Sequence, residues 1–216
     1  MFKFLYIALF LIALSLNAQE KKTYYFDNES NQITKKEFIK SLNNRDYLFQ
    51  TFEIDTAFIS VRFKRKNTGQ LNENEFNTLK TSLNDITKKE LNDEKFILIH
   101  YYPGATPCLK SIYPSLWNND DSGYLNQLNN ITSINVYFVF RNDDTLDDSY
   151  TNKFVWLKDK KQTIEKQFFK YIFPCGSFVV ISDTGEYISY YGEYGKHSVL
   201  DFTKELSKKT KKRKKN

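Results

Sequence analysis

The chain has 216 residues, 40% hydrophobic and 17% aromatic, with 15 Tyr and 19 Phe to fill a core; that length suits one ample domain, or one domain with an extension. Its formal net charge is +6, but seven positive charges (Lys208, Lys209, Lys211, Lys212, Arg213, Lys214 and Lys215) crowd the end, and without them the rest carries −1. That distribution argues against a basic, specifically nucleic-acid-binding globular surface.

Residues 1–18 read as a secretory signal peptide. Lys3 supplies the positive start, Phe4 to Leu16 is apolar, and Asn17-Ala18 offers a small residue for cleavage. The run falls short of the roughly 20 apolar residues of a membrane span, and no later segment approaches that length. The absence of a cysteine after it argues against a lipid anchor. A soluble, exported protein is expected, periplasmic or secreted.

In chain order, Thr23 to Asp27 is a short strand and Thr34-Lys35-Lys36-Glu37 a capping box that opens a short helix. Tyr47 to Ile54 and Ala57 to Arg65 read as paired strands; Ile59, Val61 and Phe63 alternate with Ser60, Arg62 and Lys64. Asn67-Thr68-Gly69 closes this strand–helix–hairpin extension, residues 19–72. Asn72 and Glu75 cap an amphipathic helix over 73–91, with Phe76, Leu79, Leu83 and Ile86 at helical spacing.

Residues 95–102 form the central strand, whose unbroken apolar character predicts cover on both faces. A Pro/Gly-rich loop and one broken or two short helices occupy the stretch to residue 131. Ile134 to Phe140 is another buried strand, 143–149 an acidic loop and 158–172 a helix. Ser177 to Ser182 and Tyr187 to Tyr191 make a hairpin around Asp183-Thr184-Gly185. His197 to Leu206 is the last helix, and 207–216 reads as a basic, disordered, solvated tail open to non-specific polyanion contact.

The order α-β-α-β-α-β-β-α over about residues 73–206 resembles the thioredoxin-like fold, and in particular exported bacterial thioredoxin-like proteins with N-terminal extensions. The strand FILIHYY, the loop PGATPC, the helix proline Pro114 and Phe173-Pro174 before SFVVISDTGEYISYYG carry the resemblance. It implies an α/β fold with a central mixed sheet flanked by helices. It also implies that Pro174 is the cis-proline facing the redox loop.

The chemistry of the family departs at its motif. Disulfide-exchanging members use Cys-x-x-Cys, one thiol attacking and the other resolving the mixed disulfide. Aligned on that motif, Ala105-Thr106-Pro107-Cys108 has alanine in the attacker's place. Alignment on Pro114 leaves both cysteine positions empty, and a third frame makes Cys108 the attacker with Ser111 as resolver. The peroxiredoxin variant fails as well, because Tyr101 and Ala105 stand where it needs Pro and Thr.

The candidate catalytic residues are therefore Cys108 and Cys175, which form either a structural bridge or a cross-loop redox couple. His100 falls, in one frame, where redox-active thioredoxins keep a buried acid; a satisfied core histidine is the favoured reading. His197 reads as a surface residue. Tyr187, Tyr190, Tyr191 and Tyr194 either line a ligand groove or cover the hairpin. No spacing suggests a metal site or other cofactor.

The sequence thus predicts a redox-degenerate thioredoxin-like protein of the cell envelope, a module that binds another envelope protein or a small ligand. The alternative is a thiol-disulfide oxidoreductase using Cys108 alone or with Cys175.

Overall fold

The computed structural model describes residues 21–91, 94–104, 121–141, 155–173 and 176–214, which divide into two compact units between Lys64 and Arg65. In the first unit, strands β1 (Lys22–Phe26), β2 (Gln32–Ile33), β3 (Tyr47–Glu53) and β4 (Ala57–Lys64) form a sheet in the order β2-β1-β4-β3. β3 and β4 pair antiparallel and β1 lies parallel to β4. Helix α1 (Lys35–Leu42) starts at the expected capping box: Thr34 N donates to Glu37 Oε2 at 2.8 Å, and Glu37 N donates to Thr34 Oγ1 at 3.2 Å. The helix packs by setting Phe38 between Tyr25 and Phe49, at ring distances of 4.8 and 5.2 Å.

The second unit is built on strand β6 (Phe96–Tyr102), buried at every residue. β7 (Ile134–Phe140) and β8 (Trp156–Lys158) continue the sheet in parallel on one side of it. On the other side β9 (Ser177–Ile181), β10 (Glu186–Tyr191) and β5 (Lys66–Gln70) follow antiparallel. The order is β5-β10-β9-β6-β7-β8.

Phe96 and Leu98 pack with Tyr124 and Leu128 of helix α3 (Asp121–Ile131) and with Val199 and Leu206 of helix α5 (Lys196–Arg213). On the opposite face Tyr101 stacks on Phe169, 4.8 Å away at the end of helix α4 (Thr163–Phe168). Helix α2 (Glu73–Thr87) lies beside α4. A parallel β-α-β unit, then an antiparallel hairpin against its first strand, then a helix is the thioredoxin-like arrangement.

Three expectations change. The boundary placed at residues 72 and 73 moves to 64 and 65, because Lys66–Gln70 is an edge strand of the second sheet rather than the close of the first hairpin. Its polar residues give no apolar alternation to read, since an edge strand needs little burial. Gly69 lies opposite Tyr187, and a Cβ there would come within 2.5 Å of the tyrosine ring. The helix expected over 158–172 is shorter, because Trp156–Lys158 pairs with β7 and buried Asp159 then caps the chain. Its carboxylate accepts from Thr163 N (2.9 Å), Ile164 N (3.0 Å) and Glu165 N (3.1 Å).

The third change concerns the tail. Residues 207–213 are not disordered but continue α5, with Ser207 and Thr210 buried. Glu186, only 1% exposed on β10, explains this. Its Oε1 faces Arg213 Nη1 at 2.8 Å and Lys209 Nζ at 3.2 Å, and Thr210 Oγ1 lies 3.5 Å from Oε2. A buried carboxylate needs such partners, and the basic run supplies them.

Removal of residues 208–216 is therefore expected to lower the melting temperature, on the order of 5 °C for a stranded carboxylate. An unchanged melting curve would refute the anchoring role of Glu186. Gly69→Ala is expected to cost about 1–3 kcal/mol in denaturant titration, because Tyr187 has to leave its packed position.

Candidate functional site

Ala105, Thr106, Pro107, Cys108, Ser111, Pro114, Pro174 and Cys175 lie outside the described residues. What is described is the platform they leave from. β6 ends at Tyr102, followed by buried Pro103 and Gly104. In β9, Ser177 stands opposite Tyr101. Residues 104 and 176, the last and first described positions beside the two cysteine-bearing segments, thus depart from one edge of the sheet. The same edge takes the ends of the parallel strands: Arg141 N donates to Tyr102 O and Asp159 N to Phe140 O, each at 3.0 Å. Carboxyl ends of parallel strands are where open α/β sheets bind ligands.

His100 lies one turn of the pleat below this edge and is 2% exposed. Its Nδ1 is 2.8 Å from the hydroxyl of Tyr194, just before α5, and its Nε2 is 3.2 Å from the hydroxyl of Tyr124 on α3. The ring stacks on Phe138, with centroids 4.8 Å apart and planes at 16°. In the neutral imidazole one nitrogen donates and the other accepts, which two hydroxyls can satisfy together. Burial pushes the His100 pKa down to about 3 and the Tyr124 phenol well above its ordinary value. The imidazole is therefore uncharged near neutrality. It is the satisfied core histidine that the sequence favoured, and its two tyrosine partners were not read from the sequence.

On the other face of β6, Tyr101 donates to Glu165 Oε2, and Arg141 Nε approaches the same oxygen at 3.0 Å. Burial, then the hydrogen bond to Glu165, raises the Tyr101 pKa far above its usual value. Tyr191 donates to Phe168 O at 2.9 Å, and burial pushes its phenol up to about 12.

The four late tyrosines do not share a groove. Tyr187 and Tyr191 pack on Phe168 and Phe169, whereas Tyr190 and Tyr194 pack on Phe178 across the sheet. Period-two alternation along β10 separates them. His197 is exposed on α5. Among the described residues no group of His, Cys, Asp and Glu is arranged to hold a metal ion.

No protein-family model matches the chain, and no curated protein matches it. Among solved structures, the solution structure of a protein taken to be a thioredoxin, from Neisseria meningitidis, is 15% identical, with a TM-score of 0.37; the match covers 72% of this chain and 85% of that one. The fold assignment stands on strand order, register and the helices on both faces. The fold is thioredoxin-like.

The neutral His100 has a consequence for stability. Its folded pKa, about 3, lies below the ordinary histidine value of 6.5, so unfolding takes up a proton between those limits. The stabilisation is complete above pH 6.5 and is lost as the pH falls toward 3. Denaturant titrations at about pH 7.5 and pH 5.5 should differ by about 1.4 kcal/mol from this group alone. His100→Gln should remove that increment; an equal pH dependence in the variant would contradict the buried neutral state.

Proposed function

We propose that this protein is a redox-degenerate thioredoxin-like module of the cell envelope that binds a protein or small ligand and does not catalyse disulfide exchange. The observation that carries this reading is His100. On β6, where one frame of the resemblance puts the buried acid of redox-active members, stands a neutral imidazole with both nitrogens engaged. Such a group neither holds a proton for transfer near neutral pH nor supplies the positive charge that lowers a thiol pKa. The sequence supports the same reading, since Ala105-Thr106-Pro107-Cys108 offers one thiol where exchange needs two. The apolar leader, Phe4 to Leu16, supports an exported location, periplasmic or secreted.

We further propose that Cys108 and Cys175 form a structural bridge. The register of β6 and β9, which sends residues 104 and 176 from one sheet edge, supports it. Closing a loop of that length stabilises by about 4 kcal/mol in the chain-entropy account.

The experiment is a disulfide-reduction assay on the purified protein, with thiol alkylation and mass measurement before and after mild reductant. Negligible turnover, slow alkylation, and similar losses of stability in Cys108→Ser and Cys175→Ser are expected. Turnover that disappears in Cys108→Ser would overturn the binding-module reading and establish a thiol-disulfide oxidoreductase.

A further inference from the structure

The basic run at the end of the chain is sorted by the helix that carries it. Lys209 and Arg213 turn to Glu186, and Lys214 pairs with Asp183 at 2.6 Å. Lys204, Lys208, Lys211 and Lys212 are exposed, and no ion pair with a described acid engages any of them. At 100° per residue these four fall within an arc of about 100° and span about 12 Å of helix axis. The buried side chains Val199, Thr203, Leu206, Ser207 and Thr210 occupy the other side. Asp201 and Glu205 bound the stripe toward the helix start, and Glu205 is itself tied to Lys66 at 2.6 Å. Downstream of Glu205 the helix carries no acid.

We propose that this lysine stripe docks the protein on a membrane surface rich in anionic phosphate headgroups, through electrostatics and without insertion. Four ammonium groups on one side of a rigid helix reach a plane together, which charges on a flexible tail do only at an entropic cost. Lysine is a compact charge on a flexible stem and suits a diffuse field rather than a fixed bidentate partner. The stripe contains no aromatic ring on which a nucleobase would stack. The apolar side of α5 is already buried against the sheet, so nothing is left to enter the acyl region as an amphipathic membrane helix would.

The test is co-sedimentation of the full chain with phosphatidylcholine vesicles, with and without about one third phosphatidylglycerol, at low and high salt. The apolar segment 4–16 contributes alike to both vesicle types, so their difference isolates the charge effect. At about fivefold per lysine, changing Lys204, Lys208, Lys211 and Lys212 together to Gln should weaken binding to the anionic vesicles roughly a hundredfold or more. The corresponding change to Arg should retain it, and molar salt should bring it down to the level on the neutral vesicles. All four positions are exposed, so melting curves should show both variants folded. Undiminished binding of the folded Gln variant, equal binding to neutral vesicles, or insensitivity to salt would overturn the proposal. So would binding to single-stranded oligonucleotide in the absence of binding to anionic vesicles.

Discussion

Seven consecutive buried residues, Phe96–Tyr102, impose a demand that shapes the whole second unit. Every backbone amide and carbonyl of that strand needs a partner, because an unpaired polar group in the interior costs about as much as a lost hydrogen bond. β7 and β9 meet the demand on the two edges. Its side chains point alternately to opposite faces, so two helical layers are required: α3 and α5 on one, α4 with α2 beside it on the other. The parallel pairing of β6 with β7 requires a crossover between them, and α3 lies in that crossover.

Three buried groups of the second unit, His100, Asp159 and Glu186, each meet polar or charged partners. His100 sits between two phenols, Asp159 accepts three backbone amides at the start of α4, and Glu186 holds two cations of α5. His100 and Glu186 each tie a strand to a partner distant in the chain. Asp159 sets where a helix begins, and Glu186 sets how far the last helix extends and which basic residues face solvent. His100 puts a group that does not ionise near neutrality close to the carboxyl end of β6.

For function, the scaffold and the chemistry separate. The sheet edge retains the geometry that gathers loops at the carboxyl ends of parallel strands. The groups described at and just below it (His100, Tyr101, Arg141, Glu165) are engaged with one another or with core side chains rather than set apart to react. The recognition role proposed above uses shape and polar pattern and needs no electron transfer.

The sequence by itself determined the periodic elements. The two capping boxes, the unbroken apolar run of β6 and the Asp183-Thr184-Gly185 turn are local signals, each with a local physical cause. It also determined that no Cys-x-x-Cys is present and that His100 lies on the central strand. Tertiary structure alone decided the rest, because those features depend on partners distant in the chain. β5 is a strand only because β10 offers it an edge, with Gly69 beneath Tyr187. His100 is neutral only because the fold buries it, with Tyr124 of α3 and Tyr194 ahead of α5 meeting its two nitrogens. The run Lys208–Lys214 reads as a solvated tail in isolation, since like charges repel and nothing local offsets them. A carboxylate more than twenty residues upstream, buried at Glu186, supplies the missing partner and makes it a helix.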